Sequence, residues 1–195
     1  MNDQLTRLGV PEALQAWFNC QQELVFDYGG ANEIFTTGFH KVPTTANLWL
    51  GGNRSASEVV ITHSAMEAIA FLTLHADHYP RPDTLSFIAT GNLPGMDQLQ
   101  WIRQNFKKRK FTLVFGSDLL GALTDIKVAA GLKGHGTRLL VNNDDVRIQM
   151  KTQVRMLSVP QVSLHAFEKA FGLRMGIRTR KPPAAVTFLD LLKDL

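Results

Sequence analysis

The chain has 195 residues. That is enough for one domain with a small appendage, and it needs no disulfide or structural metal to bury a core. Hydrophobic residues are 45% and charged residues 19%, which excludes global disorder, and the single cysteine, Cys20, excludes a disulfide framework and a multi-cysteine zinc site. The net charge of +4 is unevenly divided: residues 1–100 hold four Lys and Arg against ten Asp and Glu (net −6), and residues 101–195 hold seventeen against seven (net +10).

Residues 11–18 read as a short helix, with Pro11 in its first turn and Leu14, Trp17 and Phe18 on one face. Leu24-Val25-Phe26 reads as a strand and Tyr28-Gly29-Gly30 as a turn. Between 33 and 50, Ile34-Phe35, Val42 and Leu48-Trp49-Leu50 read as short strands of a small N-terminal β region. Gly51-Gly52-Asn53 closes that region. From Glu58 the pattern is regular. Strands are expected at 59–62, 85–89 and 111–115, with helices at 64–74, 96–106 and 119–131. Leu139–Val141 and Val146–Ile148 flank a polar Asn142-Asn143-Asp144-Asp145, a hairpin signal. The tail carries a helix with Leu164, Phe167 and Phe171, a break at Pro182-Pro183 and a final amphipathic helix at 187–195.

Three strand–helix pairs in about 75 residues predict right-handed crossovers and a mostly parallel sheet flanked by helices. The expected organisation is an N-terminal α+β extension (1–53), an α/β core (54–160) and a basic helical tail (161–195). In such sheets sites lie at the carboxyl ends of the strands. Those ends are Thr62-His63-Ser64, Thr90-Gly91-Asn92 and Gly116-Ser117-Asp118.

Three segments carry a family resemblance in order and spacing: VVITHSAMEAIAFL (59–72), FIATGNLPG (87–95) and VFGSDLLG (114–121). Together they resemble the Toprim domain, in its primase-like branch from mobile genetic elements, over about residues 47–145. The resemblance implies a Toprim-like fold and a role in DNA replication or mobilization. It also implies a site in which carboxylates hold Mg²⁺ against a phosphodiester. This sequence departs from that pattern. His63 stands where the family has its catalytic Glu, and Gly116 where it has the first Asp of its pair. Asp118 and Glu67 remain. Mg²⁺ prefers oxygen ligands and imidazole is a poor substitute, so weak metal binding and a catalytically inactive, DNA-binding accessory module are expected, with no cofactor. The family's primases often carry a zinc-binding segment upstream, and its absence here counts against independent priming. The enzyme alternative is a divergent nuclease or nucleotidyl transferase built on His63, Glu67 and Asp118, with Mg²⁺ or Mn²⁺ at Asp118, or with His63 as a general base or zinc ligand.

Other motifs have simpler readings. Ser64 sits at a strand-to-helix turn without the glycines of a nucleophile elbow, which leaves it as a helix N-cap. Thr90–Gly95 is either a phosphate cradle or a tight loop. His75 and His78, three apart, are either a metal pair or a solvated helix end. Cys20 has no His partner nearby. Lys107, Lys108, Arg109 and Lys110 exceed what helix capping needs, and with Arg174, Arg178, Arg180 and Lys181 they form a candidate phosphate-contacting set. The expected partner is DNA, single-stranded DNA included. A third reading is a docking subunit for another protein, through the acidic half or the apolar face of 187–195. No apolar run reaches the roughly 18 residues of a membrane span, and MNDQLTRLG lacks a signal peptide's apolar core, so no membrane and a cytoplasmic location are expected.

Overall fold

The computed structural model describes residues 1–195. Two short helices, α1 (Asp3–Arg7) and α2 (Glu12–Trp17), open the chain. The sequence reading leaves α1 out because five residues carry no periodic signal. Its start is set by Asn2, whose side-chain oxygen accepts from the Gln4 and Leu5 N–H groups. Strands β1 (Val25–Asp27), β2 (Asn32–Thr36) and β3 (Phe39–Lys41) then form a small antiparallel sheet.

The central sheet has five strands. They are β4 (Trp49–Gly52), β5 (Glu58–Thr62), β6 (Leu85–Ala89), β7 (Lys110–Val114) and, far along the chain, β11 (Arg178–Thr179). Their spatial order is β11-β7-β5-β6-β4, parallel except for the antiparallel edge strand β4. Helices α3 (Ala65–Leu74), α4 (Met96–Asn105) and α5 (Leu119–Leu132) follow β5, β6 and β7. After them come the antiparallel strands β8 (Thr137–Asn142), β9 (Asp145–Met150) and β10 (Gln153–Ser158), then α6 (Leu164–Phe171) and α7 (Phe188–Lys193). The expected hairpin around 142–145 is present as β8–β9, and β10 extends it.

The fold is a mixed α/β architecture with two cores, one on each face of the central sheet. Val60, Phe87 and Val114 point to one face and pack with α3, α7 and the N-terminal aromatics Phe18, Phe26 and Trp49. Val59, Ile61 and Leu113 point to the other and pack with α4, α5, α6 and β9. The period-2 alternation of the strands makes this division. Right-handed crossovers explain the helix placement. β5 to β6 steps one way along the sheet and β6 to β7 steps back past β5, so α3 and α4 fall on opposite faces.

Gly51 and Gly52 are not a turn between two regions. They belong to β4, paired with Phe87 and Ser86, so the central sheet takes a strand from before Asn53. A Cβ on Gly51 would stand 2.4 Å from the Trp49 ring. One on Gly52, which has φ +75°, would stand 2.5 Å from Trp17. These glycines are present for close approach of aromatic rings. No helix is long and apolar enough to cross a membrane.

Candidate functional site

The step direction of the sheet reverses between β5 and β7, and a crevice opens at the carboxyl ends of strands at such a reversal. Here it is a pocket of about 150 Å³ whose lining includes His63, Asn92, Gly116, Asp118, Val186 and Thr187. All three strand ends singled out in the sequence therefore reach one place.

The three candidate catalytic residues do not. His63 and Asp118 line the pocket; Glu67 does not. His63 is half-buried, and burial pushes its pKa down to about 4, against the pull of Glu33, Asp190 and Asp118. Its imidazole is neutral at pH 7. Asp118 is exposed and is the N-cap of α5, with Oδ1 accepting the Gly121 N–H at 2.8 Å. Glu67 is fully buried on α3, where it accepts the N–H groups of Phe188 (2.8 Å) and Leu189 (3.0 Å) at the start of α7. Burial pushes its pKa up to about 7, while those two N–H donors favour the ionised form.

Mg²⁺ does not fit this arrangement. No group of three or more His, Cys, Asp and Glu side chains is placed to hold a metal ion. The Glu67 oxygens are both engaged by helix N–H groups, and position 116 offers no side chain. A Cβ there would stand 2.8 Å from Asp118 Oδ1, so an Asp at 116 requires the Asp118 carboxylate to shift. The pocket offers one neutral imidazole and one capping carboxylate, a donor–acceptor pair for a small polar group.

The C-terminal segment closes over the same end of the sheet. Ser117 donates its N–H to Val186 O and its hydroxyl to Ala185 O, both at 2.9 Å. Below it Lys181 donates to Asp125 (2.7 Å), Gly116 O (2.7 Å) and Phe115 O (3.2 Å). Lys181 therefore leaves the phosphate-contacting set. Its ammonium balances Asp125, whose pKa burial nonetheless raises to about 6.

Glu33 is the residue that sequence reasoning missed. It comes from β2, is fully buried and accepts the N–H groups of Ala65 (2.7 Å) and Met66 (3.0 Å) at the start of α3. Tyr28 donates its hydroxyl to Oε2 at 2.7 Å, and His40 Nε2 lies 3.0 Å from Oε1. The signal was present: Glu33 shares a strand face with Phe35, so the alternation places a charge inward.

The remaining motifs resolve structurally. Ser64 caps α3, accepting the Glu67 N–H at 3.0 Å. In the Thr90–Gly95 loop the N–H groups of Thr90, Asn92 and Gly95 go to Thr62 O, Pro43 O and Gln98 Oε1, so no cradle of free N–H groups remains at those positions. His75 stacks on Phe71 with ring centroids 4.5 Å apart and its Nδ1 lies 2.9 Å from Phe71 O, which ends α3. Cys20 is buried, donates to Gln15 O and has its pKa pushed up to about 11 by burial, so its thiol is unreactive at neutral pH.

Basic residues from both clusters lie along the β7–β11 edge of the sheet. Lys107–Lys110 are exposed and lead into β7. β11 runs parallel to β7 with Arg178 opposite Thr112, two positions on from Lys110. Arg174, Arg178 and Arg180 are exposed. No family model, no curated protein and no solved structure matches this chain.

Proposed function

We propose that the chain is a nucleic-acid-binding, Toprim-like module without metal catalysis, which holds DNA phosphates on the β7–β11 edge of its sheet. The observation that carries this reading is the parallel register of β11 on β7. It sets Arg178, some 70 residues away in sequence, opposite Thr112, two positions on from Lys110 at the end of the exposed run Lys107–Lys110. Cations gathered from two remote segments onto one exposed edge make a polyanion footprint, whereas a lone capping cluster does not. The strand ends add no catalytic constellation: Glu67 serves α7 and Asp118 serves α5. In a replication or mobilization complex such a module has an accessory role.

The test is fluorescence anisotropy with labelled single- and double-stranded DNA over a salt series. Log affinity should fall linearly with log salt, with a slope of about −0.7 to −0.9 per phosphate contacted. Lys107→Glu with Arg109→Glu, and separately Arg174→Glu with Arg178→Glu, should each weaken binding and flatten that slope. Binding that ignores both pairs, or no binding at all, removes the edge from the account. Metal-dependent cleavage of either DNA, lost in Asp118→Ala, replaces this reading with the enzyme.

A further inference from the structure

A larger cavity, about 460 Å³, lies where α1, the β2–β3 hairpin and α7 meet. That volume is within the roughly 300–1,000 Å³ of small-molecule sites. Its walls include Gln4 and Arg7 from α1, Thr36, Thr37 and Phe39 from the hairpin, and Lys193 from α7. Two features mark it. It carries two cations and no Asp or Glu among its ten lining residues, in the acidic half of the chain save for Lys193. It also keeps a large aromatic ring open to solvent: Phe39 is 54% exposed.

Both cations are exposed at the rim. Lys193 Nζ stands 5.8 Å from the Phe35 ring centroid and forms an exposed i,i+3 ion pair with Asp190 Oδ1 at 3.7 Å, and its side chain remains 42% exposed, so a bound anion would share it. Arg7 is exposed one turn along α1, with its Nε donating to Asp3 O at 3.3 Å, which leaves the terminal guanidinium nitrogens for a ligand. The hairpin rim is held from below, because His40 beside it is bonded to the buried Glu33.

We propose that this cavity binds one nucleotide unit, with its base against Phe39 and its phosphate between Arg7 and Lys193. The Arg7 guanidinium has no carboxylate partner and the Lys193 ammonium shares only the exposed Asp190, so together they favour an anion, and the planar guanidinium suits phosphate oxygens. An open aromatic ring gives a base a stacking face, and the Thr36, Thr37 and Gln4 side chains give its edge and sugar hydrogen-bonding groups. The site does not rest on the basic edge of the central sheet and shares none of its residues. The nucleotide can be free or part of a single strand.

Calorimetric titration of the full chain with thymidine 5′-monophosphate, thymidine and a short oligothymidylate tests this. The monophosphate, the oligomer or both should bind, and thymidine should bind at least about tenfold more weakly than the monophosphate where the monophosphate binds. Arg7→Glu and Phe39→Ala, both at exposed positions, should each weaken binding about tenfold or more, as loss of a stacked base typically does. Lys107→Glu with Arg109→Glu should leave monophosphate binding unchanged, which separates this cavity from the sheet edge. Binding of the oligomer alone, lost in the pocket variants, assigns the site to single strands; equal binding of the monophosphate assigns it to free nucleotides. Thymidine binding as well as its monophosphate, no binding of either phosphorylated ligand, or binding that survives both pocket variants overturns the proposal.

Discussion

Two buried glutamates do the same physical job at different joints. Glu33 reaches across from β2 to the start of α3, and Glu67 reaches from α3 to the start of α7. Each puts a carboxylate where a helix leaves N–H groups without partners and where the helix dipole favours negative charge. Glu33 has four partners, so Glu33→Ala strands two buried N–H groups and the Tyr28 hydroxyl. A loss of about 3 kcal/mol or more in urea unfolding is expected. His63 gives a pH test. Its folded pKa, about 4, is below its ordinary value, so between pH 4 and 6.5 the unfolded chain binds more protons and stability falls on acidification. Glu67 and Asp125, both raised, act in the opposite direction, stabilising the fold as pH falls toward their unfolded values. Subtracting His63→Asn from the parent therefore isolates the histidine. The parent should lose up to about 3 kcal/mol more than the variant between pH 7 and pH 4, read by urea unfolding at each pH. Identical pH profiles would mean that His63 takes up its proton in the fold as it does in the unfolded chain.

At the scale of elements, the joints between helices and strands rest on small residues and short caps. The first turn of α5 lies against the backbone after β7: a Cβ on Gly121 would stand 1.8 Å from Gly116 O. Backbone cannot swing aside as a side chain does, so Gly121→Ala should be severely destabilising and lower the melting temperature by many degrees. Gly131→Ala meets the Leu99 side chain instead, at 2.4 Å, and should cost less, about 1–3 kcal/mol by overpacking. The comparison of the two in thermal melts checks the distinction. Glu67→Gln retains one acceptor for two N–H groups and should loosen α7 by about 1–3 kcal/mol, seen as faster amide exchange at Phe188 and Leu189.

On the scale of the whole molecule, the central sheet is shared by both cores, and the chain's two ends pack together in one of them. Leu5 near the start and Phe188, Leu189 and Leu192 near the end belong to the same core, while Phe167 belongs to the other. Both cores rest on the strands β5, β6 and β7, so unfolding is expected as one cooperative transition. Phe188→Ala and Phe167→Ala should each shift that single transition by about 3–5 kcal/mol. Two transitions, each responding to only one substitution, would show that the faces unfold separately.

The local grammar of this protein was legible in its residues. The apolar strands 59–62, 85–89 and 111–115, the helices between them and the crossover logic come from short-range pattern, which sequence carries directly. So does the convergence of His63, Asn92 and Asp118, because parallel strands joined by right-handed crossovers bring their carboxyl ends together. Long-range pairing was not legible. Nothing near Glu67 in sequence announces that its partners are Phe188 and Leu189, nor near Lys181 that its partner is Asp125. A two-residue strand at Arg178–Thr179 has no pattern of its own and exists because β7 offers it an edge. Residue spacing determined the sheet and its site; only the tertiary structure decided which charges cap helices, which are neutralised in pairs and which stay free for a ligand. That choice depends on burial and on groups brought close from far along the chain.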